Sequence, residues 1–178
     1  VLNKMDASKF IRIGLVLTIC AFIFQLIGLA SPYWTFAESE GYKGYLGLWK
    51  MCDYVKAFDT STCIDWPEIP EWLEAVRATS IIGLFLVLAA LVMLILRMSV
   101  MKDRNPVLFA AIGTTFVGAI FILISIAVYA SKGDEFSKKD ALIEGASADY
   151  HFAFAFCILA MVAALGAGAI MMIEVVKA

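Results

Sequence analysis

Four long apolar runs divide the chain, and polar stretches separate them. The pattern predicts membrane-crossing helices over residues 13–30, 78–96, 107–130 and 152–174. Each is close to the roughly 20 apolar residues that a helix needs to cross a bilayer. The first run is free of charge and follows Arg12, and the second lies between Arg77 and Arg97. The third follows Pro106, which suits a first helical turn. The fourth follows His151 and ends at Glu174. None shows the one-sided stripe of a surface helix; all four are apolar around the whole circumference. The first run is longer than a signal-peptide core, and Ser31-Pro32-Tyr33-Trp34 makes a poor cleavage site, so it reads as a retained span.

The polar stretches set the orientation. Residues 1–12 carry Lys4, Lys9 and Arg12 against Asp6, and residues 97–106 carry Arg97, Lys102 and Arg104 against Asp103. By the positive-inside rule both are cytoplasmic. Residues 31–77 and 131–151 then form two outer segments, and 175–178 a cytoplasmic end. Residues 31–76 hold Lys43, Lys50 and Lys56 against Glu38, Glu40, Asp53, Asp59, Asp65, Glu68, Glu71 and Glu74, three minus eight or −5. Residues 131–151 hold three lysines and five acids, or −2.

Composition narrows the class. The chain is 62% hydrophobic and 17% charged, against about 45–50% and 25% for soluble domains. That excludes a disordered, collagen-like or free-standing soluble chain and makes membrane lipids a partner. Fourteen basic and sixteen acidic residues leave no basic excess for nucleic acid. No nucleophile elbow, phosphate loop or paired buried carboxylate occurs in the sequence. One histidine and four cysteines are few for a metal centre. The expectation is a non-enzyme with no cofactor and no metal.

Cys52 and Cys63 fall in the long outer segment, where oxidation is permitted. Cys20 and Cys157 fall in spans, where a thiol acts as a small hydrophobe. A Cys52–Cys63 bond closes a loop of 63 − 52 + 1 = 12 residues, worth roughly 3 kcal/mol by chain entropy. An outer segment this small needs such a staple. Tyr33, Trp34, Phe36, Tyr42, Tyr45, Leu46, Leu48 and Trp49, interrupted by Gly41, Gly44 and Gly47, read as short strands and turns. Pro67 and Pro70 break the chain, and residues 71–77 lead helically into the second span. Trp34 and Trp72 suit an interfacial aromatic belt. Trp49, far from any span in sequence, is expected to pack on the disulfide or dip back to the interface. These readings give an all-α membrane protein: a four-transmembrane-helix bundle with a small disulfide-stapled extracellular β-sheet.

Trp34, then Gly47-Leu48-Trp49, two residues, Cys52, ten residues, Cys63, and Arg77 at the mouth of the second span resemble a known signature. It is that of the claudin, peripheral myelin protein and epithelial membrane protein superfamily. Residues 71–79 and 149–155 resemble the epithelial membrane protein branch, while Gly-Leu-Trp and Arg77 resemble claudins more. The gap from Trp34 to Gly47 is shorter than claudins have, which implies abbreviated strands. The resemblance implies a plasma-membrane protein of cell–cell contacts that forms a paracellular barrier or channel, or organises membrane. Its partners would be same-family molecules in cis or trans. Other branches imply an auxiliary subunit of an ion channel or receptor. In claudins the charge just beyond the second motif cysteine is implicated in selectivity. Ile64 follows Cys63 here, so Asp65 is the acid this implies. The resemblance also implies that Arg77 braces the outer domain, with Asp53, Asp65 or Glu74 as partner, and that residues 134–140 touch neighbouring molecules.

Isolated polar residues add little. Gln25, deep in the first span, reads as a hydrogen-bond partner inside the bundle. No span carries a charged residue away from its ends, which argues against a pump or proton-coupled carrier. Ala110, Thr114 and Gly118, and Ala160, Ala164 and Gly168, recur at helical spacing and read as intramolecular packing faces. His151 reads as plain surface.

Overall fold

A computed structural model describes residues 2–39, 42–56, 59–100, 105–139 and 148–177. Lys102, Asp103 and Arg104 of the inner link, Glu40, Gly41, Asp140 and Glu144 lie outside the described residues. Four helices carry the mass: α1 (Leu2–Ala30), α2 (Glu71–Ser99), α3 (Asn105–Lys139) and α4 (Phe152–Lys177). At about 1.5 Å per residue they run roughly 39 to 52 Å, longer than a hydrocarbon core of about 30 Å. All four are apolar enough to cross a membrane. The protein is a multi-pass membrane protein.

Local chemistry explains the helix starts. Pro70 ends the preceding extended segment, and its carbonyl accepts from the backbone N–H groups of Leu73 and Glu74 at 2.9 and 3.2 Å. Glu71 and Glu74 sit in the first turn of α2, where negative charge suits the helix dipole. Pro106 is the second residue of α3, where a missing N–H costs nothing. The α3 helix continues to Lys139, so the first part of the predicted second outer segment is helical.

The helices enclose a core in two parts, one toward the sheet and one toward the chain termini. Small residues permit close approach, though of the α3 series read from spacing only Gly118 is buried, while Thr114 is half-buried and Ala110 is exposed. Gly83 of α2 and Gly118 of α3 face each other: a Cβ on Gly83 would meet Ile122 Cγ1 at 2.7 Å, and one on Gly118 would meet Val87 at 3.2 Å. Ala160, Ala164 and Gly168 are likewise buried. Large apolar side chains point outward instead, with Phe85 63% and Val162 55% exposed, as a lipid-facing surface requires. One polar node crosses this core. Gln25 Nε2 donates to the Ser80 carbonyl at 3.4 Å, and Ser80 Oγ lies 2.5 Å from Ser125 Oγ.

At the end opposite the chain termini sits an antiparallel sheet of five strands. These are β1 (Thr35–Ser39), β2 (Tyr42–Leu46), β3 (Lys50–Val55), β4 (Thr60–Asp65) and β5 (Ala148–Tyr150), in the order β4-β3-β2-β1-β5. The strands β1 and β2 both fit between Trp34 and Gly47, so the short gap trims strand length and keeps both. β5, from between α3 and α4, adds beside β1 with Thr35 opposite Tyr150. That pairing ties the two halves of the chain together.

Candidate functional site

The residues of the signature converge where the sheet meets the bundle. A helix leaves its last four carbonyls without intrahelical partners, and here α1 ends beneath a protein layer. Each of three carbonyls finds a specific donor. Ser31 N–H donates to the Ile27 carbonyl at 3.0 Å. The Trp34 indole N–H donates to Gly28 at 2.7 Å, and the Trp49 indole N–H donates to Leu29 at 2.7 Å. The two motif tryptophans therefore finish the first span.

Their surroundings differ. Trp34 is fully buried, 4.6 Å from the Tyr129 ring and 5.8 Å from Phe154, centroid to centroid. It is a plug in the bundle, not the belt residue its position suggested. Its backbone continues the sheet on both sides: its N–H donates to Leu46, and its carbonyl accepts from His151. Trp49 is 39% exposed. It reaches back to α1, and the Arg77 guanidinium stacks 4.9 Å over its ring. Arg77 Nε donates to the Leu48 carbonyl at 2.7 Å. Of the three acids expected beside Arg77, Glu74 acts on it electrostatically, while its hydrogen bond and its stacking go to a backbone carbonyl and an indole face.

Leu48 is fully buried in the same core as Trp34, Leu73, Val76 and Tyr129. Gly47 is required by a close approach, because a Cβ there would overlap the backbone of Pro32. Its N–H donates to Lys50 at 2.9 Å and its carbonyl accepts from the Trp66 indole at 3.1 Å. Gly-Leu-Trp is thus one turn in which the glycine lets the chain pass, the leucine fills the core and the tryptophan caps a helix.

Cys52 and Cys63 form a disulfide and are register partners across β3 and β4. Cys52 is buried while Cys63 is exposed. Cys20 and Cys157 are free. Asp65 lies at the exposed end of β4, opposite Lys50 of β3.

Two participants, Trp66 and Tyr129, carried no signal in the motif reading, and a third, His151, was given no packing role there. Trp66 is the third indole on a backbone carbonyl. Tyr129 of α3 shares a 2.8 Å hydrogen bond with Thr35 of β1 inside the core. A tyrosine at the polar end of an apolar run is the trace it leaves in sequence. His151 packs among Tyr33, Tyr45 and Phe152 at 5.7, 5.8 and 5.0 Å, so it is a packed residue rather than plain surface.

The sheet surface carries local electrostatics. Lys56 and Lys43 lie 3.2 and 3.4 Å from Glu38. The hydrogen bond from Lys56 is the main cause that holds the Glu38 carboxyl below its ordinary range, with Lys43 adding to it. Tyr54 donates to Asp59 at 2.6 Å, and that bond to a carboxylate pushes its phenol above its ordinary value.

Comparison with protein families gives one decisive result. A family model described as the PMP-22/EMP/MP20/Claudin family matches residues 8–171. The chain belongs to this family. A search of curated proteins finds no match. The match runs from the first turns of α1 almost to the end of α4, so family membership covers the bundle and the sheet together. In this member of the PMP-22/EMP/MP20/Claudin family, the signature residues form a clamp. Two indoles and one arginine tie a stapled sheet to the ends of the helices beneath it.

Proposed function

We propose that this is a non-enzymatic, claudin-like protein of the plasma membrane that acts through its outer sheet. It mediates cell–cell contact by forming a paracellular barrier or channel, or by organising membrane at such contacts. Both termini face the cytoplasm in this reading, since Lys9, Arg12 and Arg97 lie at the end of the bundle away from the sheet. The observation that carries it is the clamp. Trp34, Trp49 and Arg77 hold the sheet to the bundle through buried or half-buried bonds, while every residue of β4 stays exposed. A surface tied to the bundle by these bonds would present fixed groups to a partner at low entropic cost. The partners proposed are copies of the same family on the same or the opposing cell.

Expression of a tagged protein in cells that lack family members tests this. Accumulation at boundaries between two expressing cells, and its absence where only one cell expresses, is the expected outcome. Even dispersal until a channel or receptor is co-expressed would move the assignment to an auxiliary subunit.

A further inference from the structure

We infer that the polar node of Gln25, Ser80 and Ser125 is a binding site for one water molecule, held between α1, α2 and α3 in the half of the bundle nearer the sheet. All three residues are buried, at 0%, 0% and 1% exposure. Gln25 Oε1 meets no hydrogen-bond donor among the described residues. A buried polar atom without a partner is the exception in folded proteins, and surrounding hydrocarbon offers it no substitute.

The unmet bonds can be counted. Gln25 Nε2 donates to the Ser80 carbonyl. A carbonyl only accepts, so the amide nitrogen must face it; exchanging the two amide atoms would set acceptor against acceptor. The amide oxygen is therefore directed elsewhere. Ser80 Oγ and Ser125 Oγ share one proton across 2.5 Å. Two hydroxyls carry two protons, and neither serine side chain makes another hydrogen bond among the described residues. The node thus combines a spare acceptor on α1 with a spare O–H on α2 or α3.

A water molecule is the complement of that set. It accepts from the spare serine hydroxyl and from the second Nε2 hydrogen, and it donates to Gln25 Oε1. Those three bonds match the number, about three, that buried waters make. The direct bond from Gln25 to Ser80 is long at 3.4 Å, against a usual 2.9–3.0 Å or so, so α1 and α2 stand apart here. The site is sealed on the sheet side. Val76 lies one turn outward from Ser80 and Tyr129 one turn outward from Ser125, and both are buried in one core with Trp34 and Leu48. A metal cation is disfavoured on two counts. The serine oxygens stand at a distance that needs a proton between them, which two oxygens on one cation lack. No charged side chain lies in the middle of any span to balance it.

Gln25 is the single glutamine of the chain. Glutamine labelled with ¹⁵N in its side chain, incorporated into the full chain in lipid nanodiscs, therefore gives one side-chain amide signal. A rotating-frame Overhauser spectrum is expected to show a cross-peak from this amide to the water frequency, with the sign of dipolar contact rather than of proton exchange. Ser80→Ala combined with Ser125→Ala should keep the peak, because the amide still holds the water and the lost hydroxyls add space. Ser125→Val, which puts methyl groups into the site, should abolish it. Retention of the Cys52–Cys63 bond and of helical circular dichroism controls for folding, and Ser80→Val serves if Ser125→Val fails that control. Absence of the peak in wild type would mean that a serine hydroxyl bonds Gln25 directly, and its loss in the double alanine variant would assign it to hydroxyl protons. Survival of the peak in the valine variant, or an amide shift that follows sodium when choline chloride replaces sodium chloride, would likewise overturn the inference.

Discussion

The indole N–H of Trp49 donates to the carbonyl of Leu29, twenty residues earlier, across 2.7 Å. This bond joins the turn between β2 and β3 to the last turn of the first span. Trp34 does the same for Gly28 from only six residues away. A helix end buried without partners would leave carbonyls unsatisfied, at about 1–3 kcal/mol each. The two tryptophans of the signature therefore have a shared physical task, with Arg77 securing the turn that delivers the second of them.

The two indoles are predicted to differ in cost. Trp34→Phe keeps most of the ring but leaves the buried Gly28 carbonyl unpaired, at about 1–3 kcal/mol. Trp34→Ala adds a cavity and should cost about 3–5 kcal/mol. Trp49 is partly exposed, so water can replace its N–H, and Trp49→Phe should cost less than Trp34→Phe. Thermal unfolding in detergent gives the ranking. A Trp49→Phe penalty above that of Trp34→Phe would contradict the burial argument.

Two glycines of the outer segment should respond in opposite ways to the same substitution. Gly47→Ala forces a methyl into the Pro32 backbone, and overpacking of that kind costs roughly 1–3 kcal/mol. Gly44→Ala places its methyl 3.7 Å from Asp53 Oδ1, an ordinary contact. Normal surface delivery of Gly44→Ala with impaired delivery of Gly47→Ala is the expected result, read by surface biotinylation.

Removing the staple should loosen the sheet and spare the bundle. Cys52→Ala is expected to cost about 2–5 kcal/mol and to retain the protein in the secretory pathway. Peptide mapping of protein unfolded without reduction and then alkylated should find Cys20 and Cys157 alkylated and Cys52 joined to Cys63, since Cys157 is buried in the folded bundle. Alkylated Cys52 would refute the assignment.

Much of this was legible because hydrocarbon is a severe solvent. Every span must be long and apolar all round, so α1 to α4 stand out by composition. The disulfide followed from which cysteines lie outside the spans. The small residues of α4 at helical spacing correctly announced a packed face. What stayed hidden were the hydrogen bonds that close gaps in sequence. A tryptophan near a span end looks alike whether it floats in the interface or plugs the core, so Trp34 read as a belt residue. Arg77 suggested a carboxylate partner by charge, and Glu74 does act on it electrostatically, yet its hydrogen bond goes to the Leu48 carbonyl. Tyr129 and Thr35, far apart in sequence, gave no sign of meeting. β5 was unreadable because three residues beside a helix start carry no alternation to detect.

Acid should break the Glu38 ion pairs only below the ordinary carboxylate range. Glu38 is held below the ordinary glutamate value of about 4.3 by Lys56 and Lys43. A depressed folded value means its contribution is present above the ordinary range and is lost as pH falls through the folded value. A carboxyl ¹³C titration should place the Glu38 midpoint below that of a model peptide. Lys56→Gln should raise it, and about 1 M salt should do likewise, because the pair is exposed and the Debye length falls to about 3 Å. A midpoint indifferent to both changes would count against the ion pairs.

The last prediction ties charge to the proposed role. If the outer sheet lines a paracellular path, its carboxylates raise the local cation concentration and repel anions. Asp65 is the acid proposed to set this preference, and it lies exposed at the end of β4. The register adds something the sequence did not suggest, since Lys50 stands directly across from it on β3. Opposite charges on facing strand positions interact across a sheet, so Lys50 should offset part of the Asp65 field. Two variants then move in opposite directions. Asp65→Asn should reduce cation preference, and Lys50→Gln should increase it. Dilution potentials across an epithelial monolayer measure both, with wild type as reference. A merely solubilising role for these acids predicts no shift in either variant. Wild type that changes neither conductance nor ion preference would exclude the channel form of the proposal and leave barrier formation, membrane organisation or an auxiliary-subunit role.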